Sequence, residues 1–255
     1  MEEFLSLKKH FTEVEKRLRR AARRRTASAA RVKRYMNSEL LFLGYTVPEQ
    51  RRFALKGYSF SKLSLKKQIQ IWDYIWKNSG ISEAMSQALL FCEKFSRSEE
   101  LVELWPTLKN WSSRIENWAH SDSLSSFYAQ ILELAPGKIL PTLKRWNKDK
   151  YPWKRRLSIV SLLYYSRERK KYLPYKTLEA MVKPLLKDSH VYVQKGVGWT
   201  LREMGNVYPA QTKKFVKQNC LKLSSIAFTT ATEKWAEKEK APLKQARKAV
   251  RNRIK

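Results

Sequence analysis

The sequence contains little glycine, proline or cysteine. Its 255 residues include 7 Gly, 9 Pro and 2 Cys. So few turn-forming residues argue against a collagen-like chain, a linker and a turn-rich all-β fold. Cys92 and Cys220 are too few for a scaffold of several disulfides, and they favour a reducing compartment. These absences together favour a helical fold inside the cell.

Long hydrophobic runs are absent as well. No segment approaches the roughly 20 apolar residues that are needed to cross a bilayer. The first residues, Met1, Glu2 and Glu3, lack the apolar region of a secretory signal. We therefore expect neither a membrane span nor export.

Several common catalytic motifs are missing. The sequence has no Walker or Rossmann glycine loop and no GxSxG nucleophile motif. His10, His120 and His190 do not have the spacing of metal ligands with either cysteine. We therefore expect no cofactor and no metal. The three histidines are interpreted as surface or capping residues.

Acidic residues are scarce beside the basic ones. The chain has 23 Asp and Glu against 53 Lys and Arg, a net charge of +30. Residues 1–25 contribute +5 and residues 236–255 contribute +6, so residues 26–235 carry +19. A folded body with this charge repels itself unless a polyanion binds it. We expect nucleic acid as the partner and a cytoplasmic, nucleoid-associated protein; an acidic protein or an anionic membrane surface is the alternative partner.

Apolar residues recur with helical spacing along nearly the whole chain. Val193, Val197, Leu201 and Met204, for example, follow i, i+4, i+8 and i+11. The apolar run Leu40–Tyr45 is interpreted as a packed connector. Helices are predicted near residues 2–24, 27–39, 48–56, 62–78, 82–95, 99–109, 111–121, 123–134, 138–147, 153–169, 175–187, 191–205, 209–219, 224–235 and 240–253.

Similar helices recur at Glu83–Phe95, Arg156–Tyr165 and Lys195–Met204, a period of roughly 40 residues. This period predicts an all-α fold, an α-solenoid of about six HEAT-like repeats with a concave basic DNA-binding groove. We expect residues 1–235 to form a single domain and the protein to be a monomer. Residues 236–255 are expected to form a basic helix or tail, which either contacts DNA or only adds solubility.

Three positions depart from the expected helix patterns, and the first is a basic and aromatic surface. Lys195, Trp199 and Arg202 fall on the side of their helix opposite its apolar face. They are interpreted as a surface that holds phosphates and stacks on a sugar or base. The alternative is that Trp199 packs on an adjacent repeat beside salt-bridged neighbours.

The second position is Arg156, which shares a stripe with Val160 and Leu163 and so projects in line with an apolar face. It also lies in the first turn, where the helix dipole disfavours a cation. An anionic partner is therefore expected, either an internal carboxylate or a phosphate.

The third position is a carboxylate at the end of an aromatic stripe. Trp111, Ile115, Trp118 and Asp122 follow i, i+4, i+7 and i+11. Asp122 is either a functional carboxylate or the N-cap of a helix that begins at Ser123.

Five segments carry a family resemblance: Tyr35–Asn37, Phe42–Tyr45, Pro48–Arg52, Trp153–Val160 and Gln194–Glu203. Together they resemble the DNA alkylation repair glycosylases of the AlkD-like family. The resemblance covers roughly residues 27–225. It implies a HEAT-like helical solenoid that wraps duplex DNA and excises N3- and N7-alkylated purines by hydrolysis of the N-glycosidic bond.

The resemblance also implies roles for individual residues. By position, the family's catalytic carboxylate falls on Asp122 and its two active-site tryptophans fall on Trp118 and Trp199. Its DNA-contacting arginine falls on Arg156, which aligns better than Arg155, and a tyrosine that approaches the DNA falls on Tyr35. We count Arg155, Lys195 and Arg202 among the expected DNA-binding residues.

The sequence also departs from the family pattern. A second acid usually lies near the catalytic one, but Ala119 follows Trp118 here, and residues 227–230 replace another family segment. The alternative function is therefore a non-catalytic HEAT-repeat protein that binds damaged or branched DNA. A protein-interaction scaffold is a third interpretation, for which +19 in the body is unusual.

Overall fold

The computed structural model describes residues 2–22 and 26–254 and confirms the all-α class. Within these residues there is no strand, and an isolated β-bridge joins Leu41 to Ile81. None of the helices described is both long and apolar enough to cross a membrane. The α-helices are α1 (Glu2–Ala22), α2 (Thr26–Met36), α3 (Val47–Lys56), α4 (Leu65–Asn78), α5 (Ser82–Cys92), α6 (Glu99–Glu103), α7 (Trp105–Trp111), α8 (Trp118–Leu134), α9 (Pro136–Trp146), α10 (Pro152–Val160), α11 (Tyr175–Val182), α12 (Val191–Val207), α13 (Pro209–Asn219), α14 (Ser225–Ala231) and α15 (Glu237–Ile254).

The chain divides into two compact units, Met1–Ser123 and Leu124–Lys255. Helices α1 to α7 and the start of α8 belong to unit 1, whereas the rest of α8 and helices α9 to α15 belong to unit 2. The single domain over residues 1–235, the groove and the HEAT-like character of the repeats stay predictions. Residues 23 and 24 of the first predicted helix lie outside the described residues.

The connector Leu40–Tyr45 is packed, as predicted, and a buried carboxylate organises it. The side chain of Glu83 in α5 accepts hydrogen bonds from the backbone amides of Leu43, Gly44 and Tyr45, at 2.9, 2.9 and 3.3 Å. Burial raises the pKa of Glu83, while these hydrogen bonds oppose the rise. Gly44 has a φ of 81°, a conformation that glycine adopts at no steric cost. The carboxylate thereby holds the connector against α5 within unit 1.

Helix α12 is central to unit 2. It packs against α10 and α14, each two helices away along the chain, as the second helices of stacked pairs do. Val197 and Leu201 on its predicted apolar face are fully buried. At Gly198 the contact with α14 is so close that a Cβ atom would lie 2.8 Å from the carbonyl oxygen of Ala227. Glycine at this position therefore permits the two helices to touch through their backbones.

The helix boundaries near Asp122 differ from the prediction. Helix α7 ends at Trp111, and α8 runs without a break from Trp118 to Leu134. Trp111 and Ile115 are buried before α8 begins, so the predicted stripe over residues 111–122 is not one helical face. Between the two helices Ser112–Arg114 form a 3₁₀ turn and Ile115 is extended, which breaks the helical period.

Helix α10 is shorter than the predicted helix over residues 153–169. It ends at Val160, so Leu163 lies beyond it, although both side chains are buried. Residues 161–165 form turns, and Tyr165 adopts a left-handed conformation with a φ of 46°, so the segment after it does not continue the helix. The helical stripe predicted for Arg156 therefore holds only as far as Val160.

Candidate active site and DNA interface

Trp118 and Asp122 lie one turn apart on α8, on the same side of the helix. Both side chains are half-buried. Asp122 lies in the second turn, so the interpretation of Asp122 as the N-cap of a following helix is wrong. The N-cap is Asn117, whose Oδ1 accepts a hydrogen bond from the backbone amide of His120 at 2.9 Å. The structure thus leaves the Asp122 carboxylate with no capping role.

Tyr35 meets Trp118 within unit 1. The two rings pack edge to face with their centroids 5.8 Å apart and their planes at 86°. Tyr35 lies in the last turn of α2, and 69% of its surface is exposed. Two of the expected site residues therefore touch, and a third, Asp122, lies one turn away.

His120 supports this part of α8 from inside unit 1. It is buried, which corrects the interpretation of this histidine as a surface residue. Its Nδ1 accepts from the Asn117 amide nitrogen at 3.2 Å, and its Nε2 donates to the carbonyl oxygen of Ser82 at 3.2 Å. Burial lowers the pKa of His120 to about 4. The neutral imidazole therefore fixes the first turn of α8 against α5.

A cavity of about 290 Å³ lies beside the first turn of α8 within unit 1. Ala119 and His120 line it, together with Val32 and Met36 of α2. Ala119 occupies the position that the family resemblance gives to a second acid. Its methyl group presents no charge to this cavity.

Trp199 forms an aromatic cluster in unit 2 that the sequence did not reveal. Its ring lies 5.4 Å from that of Tyr164 and 6.1 Å from that of Tyr165, centroid to centroid. Both tyrosines come from the turn after α10, which was predicted as helix. Trp199 itself is half-buried and Tyr165 is 52% exposed, so the cluster reaches the surface. Predicting this cluster from the sequence would have required the left-handed turn at Tyr165 to be known.

The cations beside Trp199 are held in place. The Arg202 guanidinium lies 5.7 Å from the Trp199 ring centroid and pairs with Glu203 and Glu233, at 3.2 and 3.0 Å. Lys195 is exposed, with its ammonium 4.8 Å from the Tyr192 ring centroid. All the expected residues of this surface therefore lie on one face of α12. The alternative of a packed Trp199 with salt-bridged neighbours describes part of the same contacts.

Arg155 and Arg156 have internal partners in unit 2. Arg155 pairs with Asp188 through two nitrogens, at 2.6 and 3.1 Å. Arg156 is buried and donates to the backbone carbonyl of Tyr192 at 2.9 Å. Its proposed contact with a phosphate and that of Arg155 stay predictions.

The described residues contain no group of three or more His, Cys, Asp or Glu side chains that could hold a metal ion. A family model described as "DNA alkylation repair enzyme" matches residues 14–235.

The chain belongs to this DNA alkylation repair enzyme family. A comparison with curated proteins finds no match. Among solved structures, a predicted DNA alkylation repair enzyme from Enterococcus faecalis is similar, with 18% identity and a TM-score of 0.68 over 83% of this chain and 96% of that one. AlkD2 from Streptococcus mutans is also 18% identical, with a TM-score of 0.52 over 74% of this chain and 89% of that one. These structural likenesses show a shared helical fold, and the family match covers every expected site residue.

Proposed function

We propose that the protein is a DNA glycosylase that removes N3- and N7-alkylated purines from duplex DNA. The observation that carries the proposal is the pair Trp118 and Asp122 on one side of α8, with Asp122 outside any helix cap. A carboxylate that is half-buried beside an aromatic ring is suited to a reaction in which positive charge develops.

The proposed reaction needs no general acid. Alkylation at N3 or N7 gives the purine a positive charge, so the base leaves as a neutral molecule without a general acid. The sugar becomes an oxocarbenium-like cation, which a nearby carboxylate stabilises, as in glycoside hydrolysis. Asp122 is proposed to do this and to position the attacking water at C1′. Trp118 would present its π system to the same developing charge, with the Tyr35 ring packed against it at 86°.

Unit 2 is proposed to hold the DNA. Trp199 and the exposed Lys195 offer a ring face and a cation to a sugar and a phosphate. The net charge of +19 over residues 26–235 supports a polyanionic partner. Arg156 is proposed to hold a phosphate and Arg155 to contribute to DNA binding, in addition to the internal partners of both side chains.

The experiment incubates the protein with a duplex that contains N7-methylguanine and measures the free base by chromatography. We expect release above the spontaneous rate, and none from a duplex that contains uracil, because an uncharged uracil would have to leave as an anion and the proposed site offers no group to stabilise one. Asp122→Asn should abolish release and retain duplex binding. Glu99→Gln removes an equal charge from an exposed site on α6 and should keep full activity.

The non-catalytic alternative predicts a different result. Ala119, which places a methyl group in the expected position of a second acid, favours that alternative. Tight duplex binding by the wild-type protein without base release would establish it and overturn the glycosylase proposal.

A further inference from the structure

Helices α14 and α15 of unit 2 line a cavity of about 240 Å³ that opens to the surface and has an unusual lining. Hydroxyl side chains face it from α14 and the residue after it, at Ser225, Thr229 and Thr232. Cations face it from α15, at Lys240, Lys244, Arg247 and Arg251. The spacings of four, three and four residues place these cations on one side of α15.

The wall formed by α15 is anchored to unit 2. Arg247 is buried and donates to the carbonyl oxygens of Cys220 and Leu223, the latter at 2.7 Å. Its guanidinium also lies 4.7 Å from the Phe228 ring centroid. Within the predicted basic segment, α15 (Glu237–Ile254) is therefore a docked helix, and the cations that line the cavity have a defined place relative to α14.

The charge inside the cavity is only partly balanced. Glu233 lines it but pairs with Arg202 at 3.0 Å. Glu237, which is exposed, pairs with Lys240 at 3.3 Å and with Lys244 at 2.6 Å. Exposed ion pairs of this kind contribute little to stability, so a bound anion can replace Glu237 as the partner of Lys240 and Lys244. Burial and then the charge of Arg251 lower the pKa of Arg247, which indicates that the two guanidinium groups repel each other.

We propose that this cavity binds a phosphate group of the DNA backbone. Hydroxyls that donate beside ammonium and guanidinium groups are the chemistry that recognises phosphate oxygens. The cavity adjoins the Trp199 cluster, since Glu233 at its edge holds the Arg202 that lies over Trp199. That the phosphate belongs to DNA rests on the proposed function. A free phosphate or a nucleotide would be recognised by the same groups.

Helix α15 lies beyond the part of the chain that matches the family, which ends at residue 235. The site is thus assigned to this chain's own segment and to α14. It would extend the DNA contact from the Trp199 surface towards the C-terminal end of unit 2.

A first experiment tests phosphate binding without DNA. Inorganic phosphate is titrated into the full chain, and the amide signals of Ser225 and Thr229 are followed by NMR. We expect saturable shifts that disappear in Ser225→Ala/Thr229→Val, a variant that keeps every charge. The absence of saturable shifts in the folded wild-type protein would overturn the proposal.

A second experiment identifies the source of the phosphate from duplex affinity at several salt concentrations. We expect the hydroxyl variant to lose about threefold to tenfold in affinity. Lys244→Ala/Arg251→Ala should reduce the slope of log K against log salt by about 0.9 for one lost phosphate. The control is Lys238→Ala, on the opposite side of α15, which should leave the slope nearly unchanged.

The two experiments separate this proposal from the proposed function. Phosphate shifts together with unchanged duplex affinity in both cavity variants would overturn the DNA source and indicate a free phosphate. If the wild-type protein releases no base but the cavity variants still lower duplex affinity and the salt slope, only the glycosylase proposal is overturned. Circular dichroism of each variant confirms that it is folded.

Discussion

Asn117 caps helix α8 by accepting a hydrogen bond from the backbone amide of His120 at 2.9 Å. This contact excludes one of the two interpretations of Asp122, the N-cap of a helix that begins at Ser123, and the functional carboxylate stays a prediction. A cap places its side chain over the first turn, and Asn117 already does so. Asp122 lies one turn further along, where a carboxylate gains nothing from a capping role. Its presence there is consistent with a chemical function.

Asp122→Asn should therefore change stability little, while Asn117→Ala should be costly. We expect the free energy of unfolding to change by less than about 1 kcal/mol for the first variant, since no cap is lost and asparagine keeps the size of the side chain and one of its oxygen acceptors. Loss of the Asn117 cap should lower it by about 1–2 kcal/mol. Denaturant unfolding curves of both variants check this. A large loss of stability in Asp122→Asn would show that the carboxylate is structural.

His120 should make unit 1 less stable in mild acid. Its pKa of about 4 in the folded protein lies below the ordinary value of 6.5, because burial disfavours the charged ring. Between these values the unfolded chain binds a proton that the folded chain does not. The His120 contribution is therefore complete above pH 6.5 and falls by up to about 1.4 kcal/mol per pH unit towards pH 4. Protonation at Nδ1 would also oppose two donors, the ring and the Asn117 amide.

The measurement compares unfolding free energies at pH 7 and pH 5 with those of His120→Gln. The variant should lack this part of the pH dependence. Glu83, whose pKa burial raises, gives a slope of opposite sign but is present in both proteins. The difference between the two curves therefore isolates His120, and parallel curves would contradict the assignment.

Arg156→Ala tests whether a buried arginine acts on DNA. We expect it to lower the free energy of unfolding by about 1–3 kcal/mol, because the hydrogen bond to the Tyr192 carbonyl and the packing of the side chain are lost. If Arg156 also contacts a phosphate, duplex binding weakens and the salt slope falls by about one. Binding is measured below the unfolding temperature of the variant.

Arg155→Ala is the matched variant. It breaks the pair with Asp188, which is largely buried, and should lower the free energy of unfolding by about 3 kcal/mol. An unchanged salt slope in either variant would assign that arginine a structural role alone.

The fold was predictable where the pattern is local and regular. The apolar face of α12, the connector Leu40–Tyr45 and the bounds of α13 follow from periodicity and turn chemistry. Trp199, Lys195 and Arg202 were placed on one surface for the same reason. Such features depend on the 3.6-residue period, which the sequence carries directly.

The parts that were not predictable depend on contacts between distant residues. The break after Trp111 follows from burial of that ring, which stacks on Trp76 with their centroids 4.8 Å apart. Tyr165 contacts Trp199 only because Tyr165 is itself in a left-handed conformation, at the end of the turns that follow α10. Nothing in the local sequence indicates either partner, since neither contact has a helical spacing.

The close approach of α12 and α14 gives the last prediction. A Cβ atom at Gly198 would lie 2.8 Å from the Ala227 carbonyl oxygen and 2.9 Å from its Cα, both of which belong to backbone. Gly198→Ala should therefore force the helices apart and lower the free energy of unfolding by about 1–3 kcal/mol. Gly205, on the same helix, has no atom within 4 Å of such a Cβ. Gly205→Ala should instead raise it by about 0.4–1 kcal/mol, since alanine favours the helix. Thermal and denaturant unfolding of the two variants measure both effects, and equal changes in the two would contradict backbone contact at Gly198.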